Sequence, residues 1–229
     1  MIKPHGAEQL TPLYVEDTAA RAALLQEAET LPKLLVSSAA AANAVMLGGG
    51  YFTPLSGFMN LADSLSVASD LCTATGVFFP VPIVNLVQDV SGIVGAKRIA
   101  LLDPNMPGNP VIAIQDVAAI ETVSQQQVEF MAQEIFGTLD PKHPGVSTFL
   151  GLGNQMISGP IQVLNFSYFE QHFLETFRTA VQIRSEIAEL GWNKVVAFQT
   201  RNPMHRAHEE LCRMAMDDLK TDGILIHML

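Results

Sequence analysis

Three features of the sequence predict an α+β region followed by the beginning of an α/β region. These are an early helix-forming stretch, a middle series of short β-branched runs split by turns, and a late strand-helix-strand succession. The first region is placed at 1–167 and the second at 168–229, with the boundary near residue 167.

The opening segment is marked by Pro4, Gly6 and Pro12, and a helix is expected through Leu34 to Leu47, stopped by Gly48, Gly49 and Gly50. These glycines follow a helix and lack a Lys-Ser/Thr pair after them, so they read as a helix stop and not a phosphate loop. Strands are expected at Val81 to Leu86, Ile99 to Leu102 and Val111 to Ile114, separated by Asp103, Pro104, Pro107 and Gly108. The glycine-rich stretch from Gly145 to Pro160 loosens this pattern before a strand resumes at Ile161 to Asn165.

In the second region Phe169, Phe173, Phe177, Val181, Ile187 and Leu190 recur mostly at three- to four-residue steps, which predicts one amphipathic helix ended by Gly191. A strand at Val195 to Phe198, a helix from Pro203 to Lys220 and an apolar run from Ile224 to Leu229 then form a parallel unit. Because two parallel strands do not make a stable sheet, the second region is expected to be incomplete.

Composition narrows the function classes. Hydrophobic residues are 48% and charged residues 16% of the 229, as in a globular chain and unlike a disordered one. No apolar run is long enough to span a bilayer, and the first residues lack the pattern of a secretory leader. A formal charge of −10 argues against nucleic acid as a partner. Cys72 and Cys212 are too far apart in sequence to suggest a disulfide framework, which fits a cytoplasmic setting.

The chemistry concentrates in Gln199, Thr200, Arg201, Asn202, Pro203, Met204, His205, Arg206, Ala207, His208 and Glu209, at the C-terminal end of a strand and the start of a helix. Ligands of parallel sheets gather at such ends. Asn202 is expected to cap the helix with Pro203 in its first turn, and the free amides beside Arg201 favour an anion. His205 and His208 fall on one side of the helix and are expected to be neutral rings that donate to phosphate. Metal ligation is the competing use of the pair, but the segment supplies no further ligands, and no metal residue is assigned. His5 and His143 read as turn or interface residues, Cys212 as packed, and Met204, Met214 and Met216 as core filling.

The run from Gln199 to Glu209 resembles the ATP sulfurylase signature Gln-x-Arg-Asn-Pro-x-His-x-x-His-Glu. Further resemblances are Pro4-His5-Gly6, the segment Gly50 to Met59, Gly137-Thr138-Leu139-Asp140 and His143-Pro144-Gly145-Val146, so almost the whole chain is covered. The resemblance implies a β-rich PUA-like N-terminal domain and the first part of a Rossmann-like nucleotidyltransferase domain. It implies that Gln199 and Arg201 hold sulfate, that Thr200, Arg201 and Asn202 are the catalytic group, and that His205, His208 and Asn202 meet the nucleotide.

The implied substrates are ATP and sulfate, and the products adenosine 5′-phosphosulfate and pyrophosphate. The same reaction runs in reverse in sulfur oxidation. Magnesium would arrive with ATP, with no tightly bound cofactor, and family members are commonly homo-oligomers. A different paired-histidine nucleotidyltransferase and an RNA-binding PUA-like protein are the rival readings. Gln199 and Arg201, suited to a small oxyanion, oppose the first, and the acidic charge opposes the second.

Overall fold

The computed structural model describes residues 2–228, which divide into two compact units. Residues 3–179 form the larger unit, and 180–228 the core of the smaller.

The larger unit opens with α1 (Thr18–Thr30), whose first turn is capped by Asp17 accepting from the Ala20 amide at 2.7 Å. Next come β1 (Lys33–Leu35) and α2 (Ser38–Gly48). The helix expected from Leu34 therefore starts four residues later. Leu34 and Leu35 pair in parallel with Leu101 and Leu102, and the Ser37 side chain caps the Ala40 amide, which defines the helix start. The expected stop at the glycines is present, since α2 ends at Gly48. Its alanines Ala40, Ala41 and Ala44 are buried and let the helix lie close to the sheet.

β2 (Gly57–Phe58) and α3 (Leu61–Asp70) follow, then β3 (Leu86–Val87), β4 (Arg98–Leu102), β5 (Val111–Asp116) and β6 (Ala119–Thr122). The strand expected at 81–86 is reduced to its last residue and Val87, because Pro80 and Pro82 remove ladder donors just before it. α4 (Gln125–Phe136) carries a reciprocal cap between Ser124 and Gln127, and α5 (Pro144–Gly151) is capped by His143. α1, α3, α4 and α5 are additions to the sequence-based picture.

The centre of the unit is β7 (Gln155–Val163), which pairs antiparallel with β5, β6, β3 and β2. The sequence predicts its final residues and treats Gly159 and Pro160 as loop. In the structure these two residues cross Gly57 and Phe58, and a Cβ on Gly159, at φ +135°, would lie 2.1 Å from the Asp116 carbonyl oxygen. Close backbone approach, and not a turn, requires this glycine. One apolar cluster joins α2, β4, β5 and β7, including Leu47, Leu101, Ile112 and Ile157, and a second joins α3 and α4 through Ala68, Val128 and Met131.

The single helix expected over 169–190 is two. α6 (Phe169–His172) ends after four residues, and α7 (Ala180–Glu189) begins eight residues later. A continuous helix would separate Phe169 and Phe177 by about 12 Å along its axis. Their rings instead lie 5.5 Å apart, and Phe177 is 5.2 Å from Phe166, so the chain folds back to bury aromatic surface on the larger unit. Residues 168–179 accordingly belong by contacts to that unit, although the sequence places the boundary near 167.

In the smaller unit, β8 (Val195–Thr200), α8 (Arg206–Leu219) and β9 (Gly223–Met228) make the expected parallel strand-helix-strand unit. The two strands pair from Val195 with Gly223 to Thr200 with Met228. Trp192 lies against Gly223, where an added Cβ would meet the indole at 2.3 Å. Among the described residues no helix is long and apolar enough to cross a membrane.

Gly159→Ala is expected to lower the unfolding free energy by about 3 kcal/mol, because an impossible contact is added to an unfavourable φ. Gly108→Ala, at φ +80° in open space, should cost about 1 kcal/mol. Denaturant unfolding of the two variants checks the difference.

Candidate active site at the start of α8

The parallel register carries β8 out to Thr200, where the chain turns through Arg201 and Asn202 before entering α8. Thr200 is buried, whereas Gln199, Arg201 and Asn202 are exposed. Among the described residues the Arg201 side chain has no ion-pair or hydrogen-bond partner, which leaves its guanidinium open to an anion.

The helix does not start where the sequence predicts. Asn202 is not the cap, and Pro203 precedes the helix in an irregular segment. The cap is His205, which is extended at φ −138° and ψ 175° and accepts the Ala207 amide hydrogen on Nδ1 at 3.3 Å. His208 returns the arrangement, its Nδ1 accepting from the His205 amide at 3.4 Å. Two imidazoles thus perform the work usually done by serine and glutamate in a capping box.

This geometry sets the tautomers. A ring nitrogen that accepts an amide hydrogen carries no proton of its own, so in each neutral ring the hydrogen resides on Nε2. The two rings lie 4.0 Å apart between centroids with planes inclined by 32°, and Phe198 flanks His208 at 5.6 Å. The pair therefore offers two Nε2–H donors beside the positive end of a helix of 14 residues. Arg206 is exposed in the first helical turn, and Glu209 is engaged by Arg213 at 2.5 Å, which offsets its charge.

One residue that ties the starts of the two strands together escaped sequence reasoning. Asp222 Oδ2 accepts the amide hydrogens of Asn193 at 2.7 Å and Lys194 at 2.9 Å, tying the approach to β8 to the approach to β9. Those hydrogen bonds, to Lys194 first and Asn193 second, hold the carboxyl below the usual aspartate range. An Asp-Gly pair before an apolar run was the available signal.

Elsewhere, His143 caps α5 by accepting from the Val146 amide at 3.3 Å, and the His5 ring contacts the Phe78 carbonyl oxygen at 2.7 Å, so both have local structural partners. Cys212 is buried. Met214 is 52% exposed and so is not core filling within this chain, while Met204 and Met216 are half-buried.

The fold and this site define a mixed-sheet α+β domain on one chain with an α/β segment whose helix start is capped by two histidines. Residues 2–166 match the PUA-like domain family and residues 175–229 match the ATP-sulfurylase family. The chain is 65% identical over its full length to the sulfate adenylyltransferase of Alcanivorax borkumensis, 60% to that of Allochromatium vinosum and 52% to that of the Riftia pachyptila sulfur-oxidizing endosymbiont. It spans 57%, 58% and 52% of those proteins. A solved structure described as a hexameric APS kinase from Thiobacillus denitrificans shares the fold, with a TM-score of 0.75 at 24% identity, over all of this chain and 39% of that one. This chain belongs to the ATP sulfurylase family, with its PUA-like match over residues 2–166 and its ATP-sulfurylase match over residues 175–229.

Because the folded pKa of Asp222 is lowered, the stabilisation from its amide clamp is fully present above the ordinary aspartate value of about 3.9. It is lost as the pH falls through the lowered value. Protection of the Asn193 and Lys194 amides, measured as exchange relative to the intrinsic rate at each pH, should therefore be high at neutral pH and fall below about pH 4. In Asp222→Ala it should already be low at pH 7.

Proposed function

We propose that this chain supplies the sulfate- and phosphate-gripping part of a sulfate adenylyltransferase, which converts ATP and sulfate to adenosine 5′-phosphosulfate and pyrophosphate. The observation that carries the reading is the start of α8, where Arg201, without a side-chain partner among the described residues, closely precedes two histidines whose Nδ1 atoms accept main-chain amides and so leave their Nε2–H groups to donate. The names of the relatives support the same chemistry.

In this reading a sulfate oxygen attacks the α-phosphorus as the bond to pyrophosphate breaks, and the leaving group takes the displaced electron pair. No covalent enzyme intermediate is needed. Gln199 and Arg201 would hold sulfate, one as an amide donor and the other as a planar cation suited to an oxyanion. His205 and His208 would donate to nucleotide phosphates, with Asn202 beside them at the loop. Their task is to hold two mutually repelling anions in line and to offset charge developing on the α-phosphate of the transferring adenylyl group and on the leaving pyrophosphate.

Magnesium would enter with ATP as part of the substrate and keep much of its water shell. The α/β segment would be the first part of a Rossmann-like nucleotidyltransferase domain. The working enzyme would be a homo-oligomer, as the matched hexameric structure is, and would act in the cytoplasm. Either direction of the reaction, sulfate activation or ATP formation in sulfur oxidation, uses the same site.

The test is ATP formation from adenosine 5′-phosphosulfate and pyrophosphate, followed by luminescence, in this chain and in a chain extended to the length of the relatives. Activity in the extended chain supports the reading, and none in either sinks it. Arg201→Ala and His208→Ala in the active form should each lower kcat/KM by about a hundredfold or more with an unchanged far-ultraviolet circular dichroism spectrum. His205→Asn should preserve the helix start, since asparagine caps well, yet lose the Nε2–H donor and about tenfold in kcat/KM.

A further inference from the structure

Thr200 is the last residue of β8 and is 8% exposed. Its hydroxyl oxygen accepts the Asn202 amide hydrogen at 3.0 Å, and the same hydroxyl donates to the Asn202 carbonyl oxygen at 3.1 Å. A threonine hydroxyl has one hydrogen and two lone pairs. The hydrogen and one lone pair are both engaged by the main chain of a single residue two positions on.

What remains on the hydroxyl is an acceptor. A sulfate or phosphate group offers oxygens that are themselves acceptors, so Thr200 could assist one only by donating the hydrogen already given to Asn202. The bridge closes a tight loop around Arg201, whose side chain is exposed and without a partner among the described residues. Backbone freedom at Asn202 would translate directly into freedom of the guanidinium.

We propose that Thr200 is a positioning residue: its hydroxyl clamps the Asn202 main chain and reaches the anion only through the loop that carries Arg201. This departs from the role the family resemblance implies, in which Thr200 belongs to the catalytic group. The clamp stands on geometry alone, while its consequence for binding rests on the reading of residues 199–209 as an anion site.

Thr200→Val keeps the β-branched shape that suits the paired end of β8 and removes both hydrogen bonds, whereas Thr200→Ser retains the hydroxyl. Two quantities are read by nuclear magnetic resonance in each variant: amide exchange at Asn202 in ligand-free protein, and affinity for pyrophosphate. The proposal expects Thr200→Val to speed Asn202 exchange by roughly fivefold or more and to weaken pyrophosphate binding by a similar factor. Thr200→Ser should stay within about twofold of the parent in both, a rescue that loss of packing alone would not show.

Unchanged Asn202 exchange in Thr200→Val, together with weakened pyrophosphate binding, would overturn the proposal and put the hydroxyl on the ligand. Protection of the paired Phe198 and Ile226 amides reports whether each variant keeps the strands, and Thr200→Ala repeats the comparison with a smaller side chain. Absence of pyrophosphate binding in the parent would count against the anion site, while the exchange comparison would still decide the clamp.

Discussion

The backbone pairing of β7 is the constraint on which the larger unit depends. This one strand bonds to β5, β6, β3 and β2, so segments from residue 57 to residue 122 share a single nine-residue partner. Alternation along it then sends Met156 to one apolar cluster and Ile157 to another. Two helical layers can pack on the sheet because its central strand has an apolar residue for each. The requirement is strict enough that Gly159 tolerates no Cβ where the Asp116 carbonyl passes.

The smaller unit obeys a different economy. Among the described residues its strands are two, and the register from Val195 to Thr200 delivers a buried threonine, an open arginine and a helix start in succession. Histidine serves there in two capacities. Each Nδ1 satisfies a main-chain amide that would otherwise be orphaned at the helix start, and each Nε2–H is thereby left for a ligand. The capping geometry and the presentation of donors are one arrangement, which explains why both imidazoles belong at this spacing.

Much of this was legible in the residues. The strands around Ile99 to Leu102, Val111 to Ile114 and Val195 to Phe198 stand where β-branched runs predict them, since short apolar segments bounded by turn residues have few alternatives. The run from Gln199 to Glu209 stands out as a candidate site because polar groups at a strand end have little packing purpose, and the structure sets it at the end of β8 and the start of α8. The break between α6 and α7 was not legible, because the four-residue spacing of Phe169, Phe173 and Phe177 is the same whether they line a helix or fold back into a core. Nor was the cap: Asn202 and Pro203 satisfy every local rule for a helix start, and Ser124 with Gln127 was a readable capping box passed over.

The sequence by itself determined the order of strand types, the glycine stop after α2, the acidic balance and the cluster of anion-suited residues, all of which depend on local chemistry or composition. Only tertiary structure decided that Gly159 and Pro160 lie inside a strand, that Phe177 turns back on Phe166, and that His205 caps α8. Each of those outcomes turns on contacts between groups whose distance in space is not encoded by their spacing along the chain. A close carbonyl, a neighbouring ring or a pair of unsatisfied amides outweighed the local preference of the residue concerned.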